Sequence, residues 1–136
     1  MENNNVSQKF MAFIRHGERG DRLYTDEEND PRLVFPLSKM NEDDPPLSVK
    51  GMAQASATGK YLANFLKEIN IDLSRILIKV SPFSRTLMTA SCIAEELGVK
   101  TLQVDSTLHE FLGEQMFEEN PFPKIEIYKC KSKQQL

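Results

Sequence analysis

The sequence predicts an α/β domain in which helices cover a mainly parallel sheet. Three short apolar runs are separated by two segments with helical periodicity, so the predicted order is strand, helix, strand, helix, strand. This alternation is typical of right-handed βαβ units, whose parallel strands are covered by helices on their faces. At 136 residues the chain has the length of one domain with its own hydrophobic core.

The first predicted strand is residues 10–14, Phe-Met-Ala-Phe-Ile, and a long polar stretch follows it. Apolar side chains on consecutive residues predict that both faces of this strand are covered, as in the centre of a parallel sheet. The polar stretch, residues 20–46, is rich in Asp, Glu and Pro. A loop of this length inside a compact domain is functional or disordered. A lid over a site and a solvated, mobile insertion are therefore both open interpretations.

Two helices are predicted from capping residues and apolar periodicity. The first begins after Ser48, a favoured N-cap residue that follows two prolines, and it has one apolar face. The second predicted strand is residues 76–80. Ser81 as N-cap and Pro82 at the first helical position predict the start of the second helix, which should end at Gly98.

The third predicted strand is residues 101–104, and a loop or a short helical turn follows it. Prolines at 121 and 123 interrupt the pattern after that point, and the end of the chain is basic and polar. We therefore divide the chain into a flexible N-terminus (residues 1–8), the α/β domain (9–120) and an irregular basic tail (121–136).

Composition excludes several classes of function. A net charge of −3 and a pI near 5.4 argue against non-specific nucleic-acid binding, which needs a basic surface. Two cysteines, Cys92 and Cys130, are too few for a disulfide framework or a zinc site. No apolar stretch approaches the roughly 20 residues of a membrane-spanning helix, and the first residues do not resemble a signal peptide. We expect a cytoplasmic protein that binds neither nucleic acid nor membrane.

The most informative segment is Arg-His-Gly-Glu-Arg at positions 15–19, directly after the first predicted strand. Ligands of doubly wound sheets bind beyond the carboxyl ends of strands. Arg15 and Arg19 favour the neutral, nucleophilic form of His16 and can bind phosphate oxygens in bidentate fashion. The segment predicts attack of His16 on a phosphoryl group. The alternative is a structural histidine with satisfied hydrogen bonds near a strand end. It is the weaker interpretation, because two arginines and Gly17 occur beside His16 at the same strand end.

Two further strand ends carry candidate site residues. Arg85, in the first turn of the second helix, opposes the helix dipole, which a bound anion would explain. An ordinary surface arginine is the alternative. Glu110 follows the third strand and is either a general acid for a leaving oxygen or a surface glutamate. The side chain of the adjacent His109 is expected to point elsewhere. The sequence has no recognisable metal-ligand spacing, glycine-rich phosphate loop or nucleophile elbow.

Four motifs, in this order, resemble the histidine phosphatase superfamily, also called the phosphoglycerate mutase-like family. They are Arg-His-Gly-Glu at 15–18, Leu-Ser-Val-Lys-Gly-Met-Ala-Gln-Ala at 47–55, Ser-Pro-Phe-Ser-Arg-Thr-Leu-Met-Thr-Ala at 81–90 and Leu-His-Glu at 108–110. The resemblance runs from about residue 10 to about residue 113. It is closer to the phosphatase branch of the family than to the glycolytic mutases.

The resemblance implies a three-layer sandwich with a mainly parallel central sheet, and phosphomonoester hydrolysis through a phosphohistidine on His16. Arg15 and Arg85 would clamp the phosphoryl oxygens, and Glu110 would be the acid. The substrate contacts would be made by Arg19, Gly17 and Ser81. No metal or organic cofactor is implied. The expected partner is a phosphorylated small molecule or a phosphoprotein, and dimerisation is left open.

The resemblance also implies a second site histidine, late in the chain at a strand end. This sequence has no histidine after His109. We therefore expect a C-terminally truncated member that lacks the last strand or strands of the family. Two alternatives to hydrolysis stay open: a catalytically impaired remnant that binds phosphorylated ligands or a partner protein, and, with less support, a phosphomutase.

Overall fold

The computed structural model describes residues 9–108 and has an α/β architecture, which confirms the predicted fold class. The regular elements are helix α1, Val49–Glu68; strand β1, Lys79–Val80; helix α2, Ser84–Leu97; and strand β2, Gln103–Val104. Short 3₁₀ turns occur at Gly20–Leu23, Leu37–Lys39, Leu73–Arg75 and Ser106–Leu108. The predictions for residues 1–8, for His109 and Glu110, and for the segment after them lie outside the described residues.

Strands β1 and β2 form a parallel pair, with Val80 opposite Val104. The N–H of Gln103 donates to the carbonyl of Ile78 at 2.9 Å, which continues the pairing before β1. Helix α2 connects the two strands, so this part of the chain is the predicted βαβ unit. Both strands are shorter than their apolar runs suggested.

The core lies on two sides of α2. Towards the sheet, Ala90 and Ala94 pack with Val80 and Leu102. Towards α1, Ile93 packs in a second cluster with Ala63 and Leu97. Small residues allow both close approaches: Ala90 and Ala94 of α2 face the sheet, and Ala63 of α1 faces α2. Helix α2 is therefore the central element of the described domain.

Two of the three helix ends predicted from the sequence agree with the structure. The Ser48 hydroxyl accepts the N–H of Gly51 at 3.0 Å and caps α1, as predicted. Gly98 ends α2 in the left-handed conformation with φ of 71°, also as predicted. The predicted start of α2 at Ser81 is wrong, because the N-cap position is Phe83 and the helix begins at Ser84.

The strand predicted at residues 10–14 is not formed. Its large side chains are exposed: Phe10 by 57%, Met11 by 80%, Phe13 by 91% and Ile14 by 45%. An extended segment becomes a strand only when a neighbouring strand accepts its backbone hydrogen bonds. Among residues 9–108 no strand pairs with it. Apolar sequence therefore predicted a buried strand that the described fold does not contain.

The acidic stretch at residues 20–46 is folded against the start of α1. The N–H of Gly20 donates to the carbonyl of Pro46 at 2.8 Å, and the N–H of Val49 donates to the carbonyl of Arg32 at 2.8 Å. Leu33 and Asp30 are buried. The interpretation of residues 20–46 as a solvated insertion is therefore wrong for the buried residues Asp30 and Leu33. It holds only for the exposed acidic side chains around them.

Two kinds of feature are absent between residues 9 and 108. No helix there is long and apolar enough to cross a membrane. No group of three or more His, Cys, Asp or Glu side chains there is placed to hold a metal ion.

Candidate active site

The loop that contains His16 is held by the start of α1 and the residues before it. The carbonyl of Glu18 accepts the N–H of Ser48 at 2.8 Å. The N–H of Glu18 donates to Oε1 of Gln54 at 2.9 Å. The loop therefore lies against the first turns of α1, whereas the sequence placed it at the end of a central strand.

Gly17 and Gly51 make this close approach possible. A Cβ atom on Gly17 would lie 2.9 Å from Cα of Gly51, and one on Gly51 would lie 2.8 Å from the backbone nitrogen of Glu18. Real Cβ atoms essentially never come this close to backbone atoms. Both positions therefore require glycine, because a side chain at either one would collide with the facing backbone.

The ring of His16 is oriented by a bond to the backbone. Its Nδ1 lies 2.7 Å from the carbonyl oxygen of Gly17. A carbonyl oxygen can only accept a hydrogen bond, so Nδ1 carries the proton. In the neutral ring the lone pair then belongs to Nε2. This is the tautomer that a histidine nucleophile acting through Nε2 requires.

Thr89 joins the His16 loop to α2. Its hydroxyl accepts the N–H of Gly17 at 3.1 Å and donates to the carbonyl of Arg85 at 2.8 Å. One buried hydroxyl thus connects the residue after His16 with Arg85, although 72 residues separate Gly17 from Thr89. Sequence reasoning gave Thr89 no role. The available signal was its spacing of four residues from Arg85, which places both on one helix face.

Arg85 is a buried residue, so its interpretation as an ordinary surface arginine is wrong. Only 4% of the residue is exposed, and its guanidinium carbon lies 4.2 Å from the centre of the Phe83 ring. A guanidinium over an aromatic face is attracted by the ring electrons. Because Arg85 is the second residue of α2, its charge adds to the positive end of the helix dipole. This region therefore attracts anions.

The two arginines that flank His16 differ in their surroundings. Arg19 is paired with Asp21 in bidentate fashion, with Nε 2.9 Å from Oδ1 and Nη2 2.6 Å from Oδ2. Arg15 is exposed. The positive charge of Arg19 is thus largely compensated, and Asp21 occupies the edge of the guanidinium formed by Nε and Nη2. Because the pair is partly exposed, its net strength is on the order of 1 kcal/mol or less.

The Glu18 side chain stabilises the junction between the loop and α1. Its Oε1 accepts the hydroxyl of Ser48 at 2.7 Å, and its Oε2 lies 3.7 Å from Nζ of Lys50. The Ser48 hydroxyl therefore donates to Glu18 while it accepts the N–H of Gly51. Sequence analysis gave the Glu18 carboxylate no such role, because its partners lie about 30 residues further along the chain.

Ser81 and Glu110 complete the predicted set. The hydroxyl of Ser81 is buried and lies 2.8 Å from the hydroxyl of Thr86, inside the turn that leads into α2. Glu110 lies outside the described residues. The structure thus joins the backbones of Gly17 and Arg85 through Thr89, and it places Ser81 before the helix that carries Arg85.

One carboxyl group in the stretch that packs on the start of α1 has a strongly perturbed pKa. Hydrogen bonds from the side chain of Arg32, then from its backbone, hold the pKa of Asp30 well below its usual range. Nη2 of Arg32 lies 2.6 Å from Oδ2 of Asp30. Asp30 therefore stays ionised and fixes the turn that precedes Leu33, whose backbone bridges to Ser48.

Comparison with known proteins decides the family. Residues 11–125 match the sequence profile described as Histidine phosphatase superfamily (branch 1). The chain belongs to the histidine phosphatase superfamily. The resemblance based on four motifs is thereby confirmed. No curated protein sequence matches this superfamily member significantly.

Solved structures agree with this assignment. One that matches this histidine phosphatase superfamily member is the ecdysone phosphate phosphatase EPPase from Bombix mori, crystallised in complex with tungstate. The two are 25% identical and superpose with a TM-score of 0.54. The match covers 74% of this chain and 44% of the other. The chain thus spans less than half the length of that structure.

Proposed function

We propose that the protein hydrolyses phosphomonoesters through a phosphohistidine formed at Nε2 of His16. The observation that carries the proposal is the 2.7 Å bond between Nδ1 of His16 and the carbonyl of Gly17. This bond keeps the proton on Nδ1, fixes the plane of the ring and leaves the lone pair on Nε2. A nucleophile fixed in this way loses little orientational freedom when it attacks phosphorus in line with the leaving oxygen.

Positive groups on the segment of His16 and at the start of α2 support the same reaction. The guanidinium of Arg85 is buried and lies in the first turn of α2, where the helix dipole also favours anions. Arg15 would neutralise further charge on the phosphoryl oxygens, and Arg19, whose charge Asp21 partly compensates, would do so more weakly. EPPase, a structural relative, was crystallised with tungstate, an oxyanion similar to phosphate in shape. Gly17 and Ser81 complete the proposed contacts to the substrate.

The proposed reaction has two steps. Nε2 of His16 forms a bond to phosphorus while the bond from phosphorus to the ester oxygen breaks, and Glu110 gives a proton to that oxygen. Water then attacks phosphorus and gives a proton to Glu110, the phosphorus–nitrogen bond breaks with its electron pair returning to Nε2, and inorganic phosphate leaves with His16 and Glu110 restored. The proposed substrate is a phosphorylated small molecule or a phosphoprotein.

A second candidate function is binding of phosphorylated ligands without hydrolysis. It is favoured by the histidine content, because the sequence holds only His109 besides His16. The superfamily resemblance implied two histidines in the site. A protein with Arg85 and the helix terminus in place would still bind an oxyanion, but it would lack one group that stabilises transferred charge.

One experiment separates these functions. The pure protein is incubated with p-nitrophenyl phosphate between pH 5 and 7.5, and labelled phosphate is trapped by rapid denaturation at alkaline pH. We expect turnover and an alkali-stable, acid-labile label on His16. His16→Asn should abolish both. His109→Asn is the matched control, since it removes the other histidine of the sequence, and it should retain both.

The outcomes are distinct. Turnover that persists in His16→Asn contradicts the proposed mechanism. Binding of inorganic phosphate without turnover or label favours the second candidate. A protein that neither binds phosphate nor turns over an aryl phosphate overturns both.

A further inference from the structure

We propose that Asp44 positions Arg85 for phosphate binding; the proposal rests on the function proposed above. Asp44 lies in the acidic stretch, 40 residues before Ser84. Its Oδ1 accepts the N–H of Ser84 at 2.8 Å, and its Oδ2 accepts the hydroxyl of Ser84 at 2.7 Å. Ser84 is the residue directly before Arg85, so Asp44 holds the backbone from which the guanidinium extends.

Helix α2 has no cap from its own N-cap residue. Phe83 occupies the N-cap position and makes no side-chain capping bond. The first N–H groups of a helix have no partner within the helix, and a carboxylate at this end also interacts favourably with the dipole. Asp44 therefore caps the N-terminus of α2, as Ser48 caps that of α1, but Asp44 comes from a distant part of the chain.

The residues after Asp44 contact the His16 loop. We call residues 44–48 the connecting segment. Within it, the carbonyl of Pro46 accepts the N–H of Gly20, and the N–H of Ser48 donates to the carbonyl of Glu18, both at 2.8 Å. Four of its five residues are buried and two of them are prolines, which restrict the backbone. One short, stiff segment thus holds the loop after His16 and the start of α2.

The geometry makes Asp44 an outer anchor of the helical turn that carries Arg85. Thr89 holds the carbonyl of Arg85 from within the helix, and Asp44 holds the preceding residue from outside it. If the outer anchor is lost, the first turn of α2 can fray, and Phe83 and Arg85 move with it. Small displacements of a charged group that must meet phosphoryl oxygens weaken binding strongly.

The first test is the affinity for inorganic phosphate of the full chain, measured by isothermal titration calorimetry. Asp44→Ala should weaken phosphate binding about tenfold. Asp43→Ala removes the same charge from the neighbouring exposed residue and should change the affinity less than about twofold. Asp72→Ala removes a comparable cap, since Oδ1 of Asp72 accepts the N–H of Ser74 at 2.9 Å. It should lower the melting temperature without changing the affinity.

Asp44→Asn separates positioning from charge. Its amide oxygen can accept the N–H of Ser84 and its NH₂ group can donate to the hydroxyl, so both contacts are kept without the charge. We expect an affinity within about twofold of the unmodified protein. If Asp44 only repelled the bound anion, both Asp44→Ala and Asp44→Asn would bind phosphate more tightly. This result overturns the proposal. Ser84→Ala, which removes one contact, should weaken binding about threefold if Asp44→Ala does not fold.

A second readout does not depend on phosphate binding. The Nε–H resonance of Arg85 in ¹⁵N-labelled protein, assigned with Arg85→Lys, reports the surroundings of the guanidinium. It should shift in Asp44→Ala and stay in place in Asp72→Ala. If the unmodified protein neither binds phosphate nor turns over an aryl phosphate, the proposed function fails and this resonance alone decides on positioning. An unchanged resonance in Asp44→Ala overturns the proposal.

Discussion

The hydroxyl of Thr89 accepts the N–H of Gly17 at 3.1 Å, which joins the loop of His16 to the helix of Arg85. The same hydroxyl donates to the carbonyl of Arg85 at 2.8 Å. Both hydrogen-bonding functions of one buried side chain are thus used to couple the proposed nucleophile to a proposed phosphate ligand. A change at Thr89 should therefore affect stability and phosphate binding together.

Thr89→Val keeps the shape of the side chain and leaves the N–H of Gly17 without this acceptor. We expect a loss of about 1–3 kcal/mol in the free energy of unfolding, and weaker phosphate binding. Urea denaturation and calorimetry measure the two effects. Thr58→Val is the matched control, because Thr58 also donates to a carbonyl four residues earlier, that of Gln54 at 3.0 Å. Equal losses in both variants would contradict the coupling role of Thr89.

Gly51→Ala should destabilise the protein although alanine is the better helix former by about 1 kcal/mol. The added Cβ would lie 2.8 Å from the backbone nitrogen of Glu18, so the His16 loop must move. We expect a net loss of about 1–3 kcal/mol in the free energy of unfolding, together with weaker phosphate binding. A stabilised variant with unchanged phosphate binding would contradict this prediction. It would mean that the backbones of Gly51 and Glu18 can move apart without loss of free energy.

Gly98→Ala is the control for this steric effect. Gly98 has a φ of 71°, and a Cβ there would meet no atom within 4 Å. Its substitution should cost about 1–2 kcal/mol through backbone conformation alone, with phosphate binding unchanged. The comparison thus separates loss of stability from displacement of the His16 loop.

Asp21→Asn should strengthen phosphate binding by releasing Arg19. The bidentate pair between Asp21 and Arg19 is partly exposed, so its loss is expected to raise the affinity about two- to fivefold. Asp26→Asn changes the net charge equally at an exposed position and is the control. Equal gains in both variants would assign the effect to net charge and would count against a substrate contact by Arg19.

Asp30→Asn should destabilise the protein at pH 7 more than at pH 3. The pKa of Asp30 is lowered in the folded protein, chiefly by the hydrogen bond from the Arg32 side chain. A carboxyl with a lowered folded pKa adds stability above its unfolded pKa of about 3.9, and this stability is lost as the pH falls towards the folded pKa. Urea denaturation at both pH values measures the difference. A difference that does not shrink at pH 3 would contradict the ionic origin.

Capping and periodic residues predicted those parts of the fold that depend on neighbours in sequence. Ser48 caps α1 and Gly98 ends α2 as expected, because each acts on backbone groups within a few residues. The family was also readable from the chain, since its motifs are short and ordered. The prediction for residues 10–14 was wrong, because a strand needs partners that apolar sequence alone does not supply.

The sequence by itself determined the α/β class, the superfamily and the identity of His16 as the proposed nucleophile. Only the tertiary structure decided which groups surround it: Thr89 on Gly17, Asp44 on Ser84 and Asp21 on Arg19. The first two contacts join residues 40 or more positions apart. Local propensity acts over one or two turns of chain, whereas these polar groups find each other only after packing has brought their segments together.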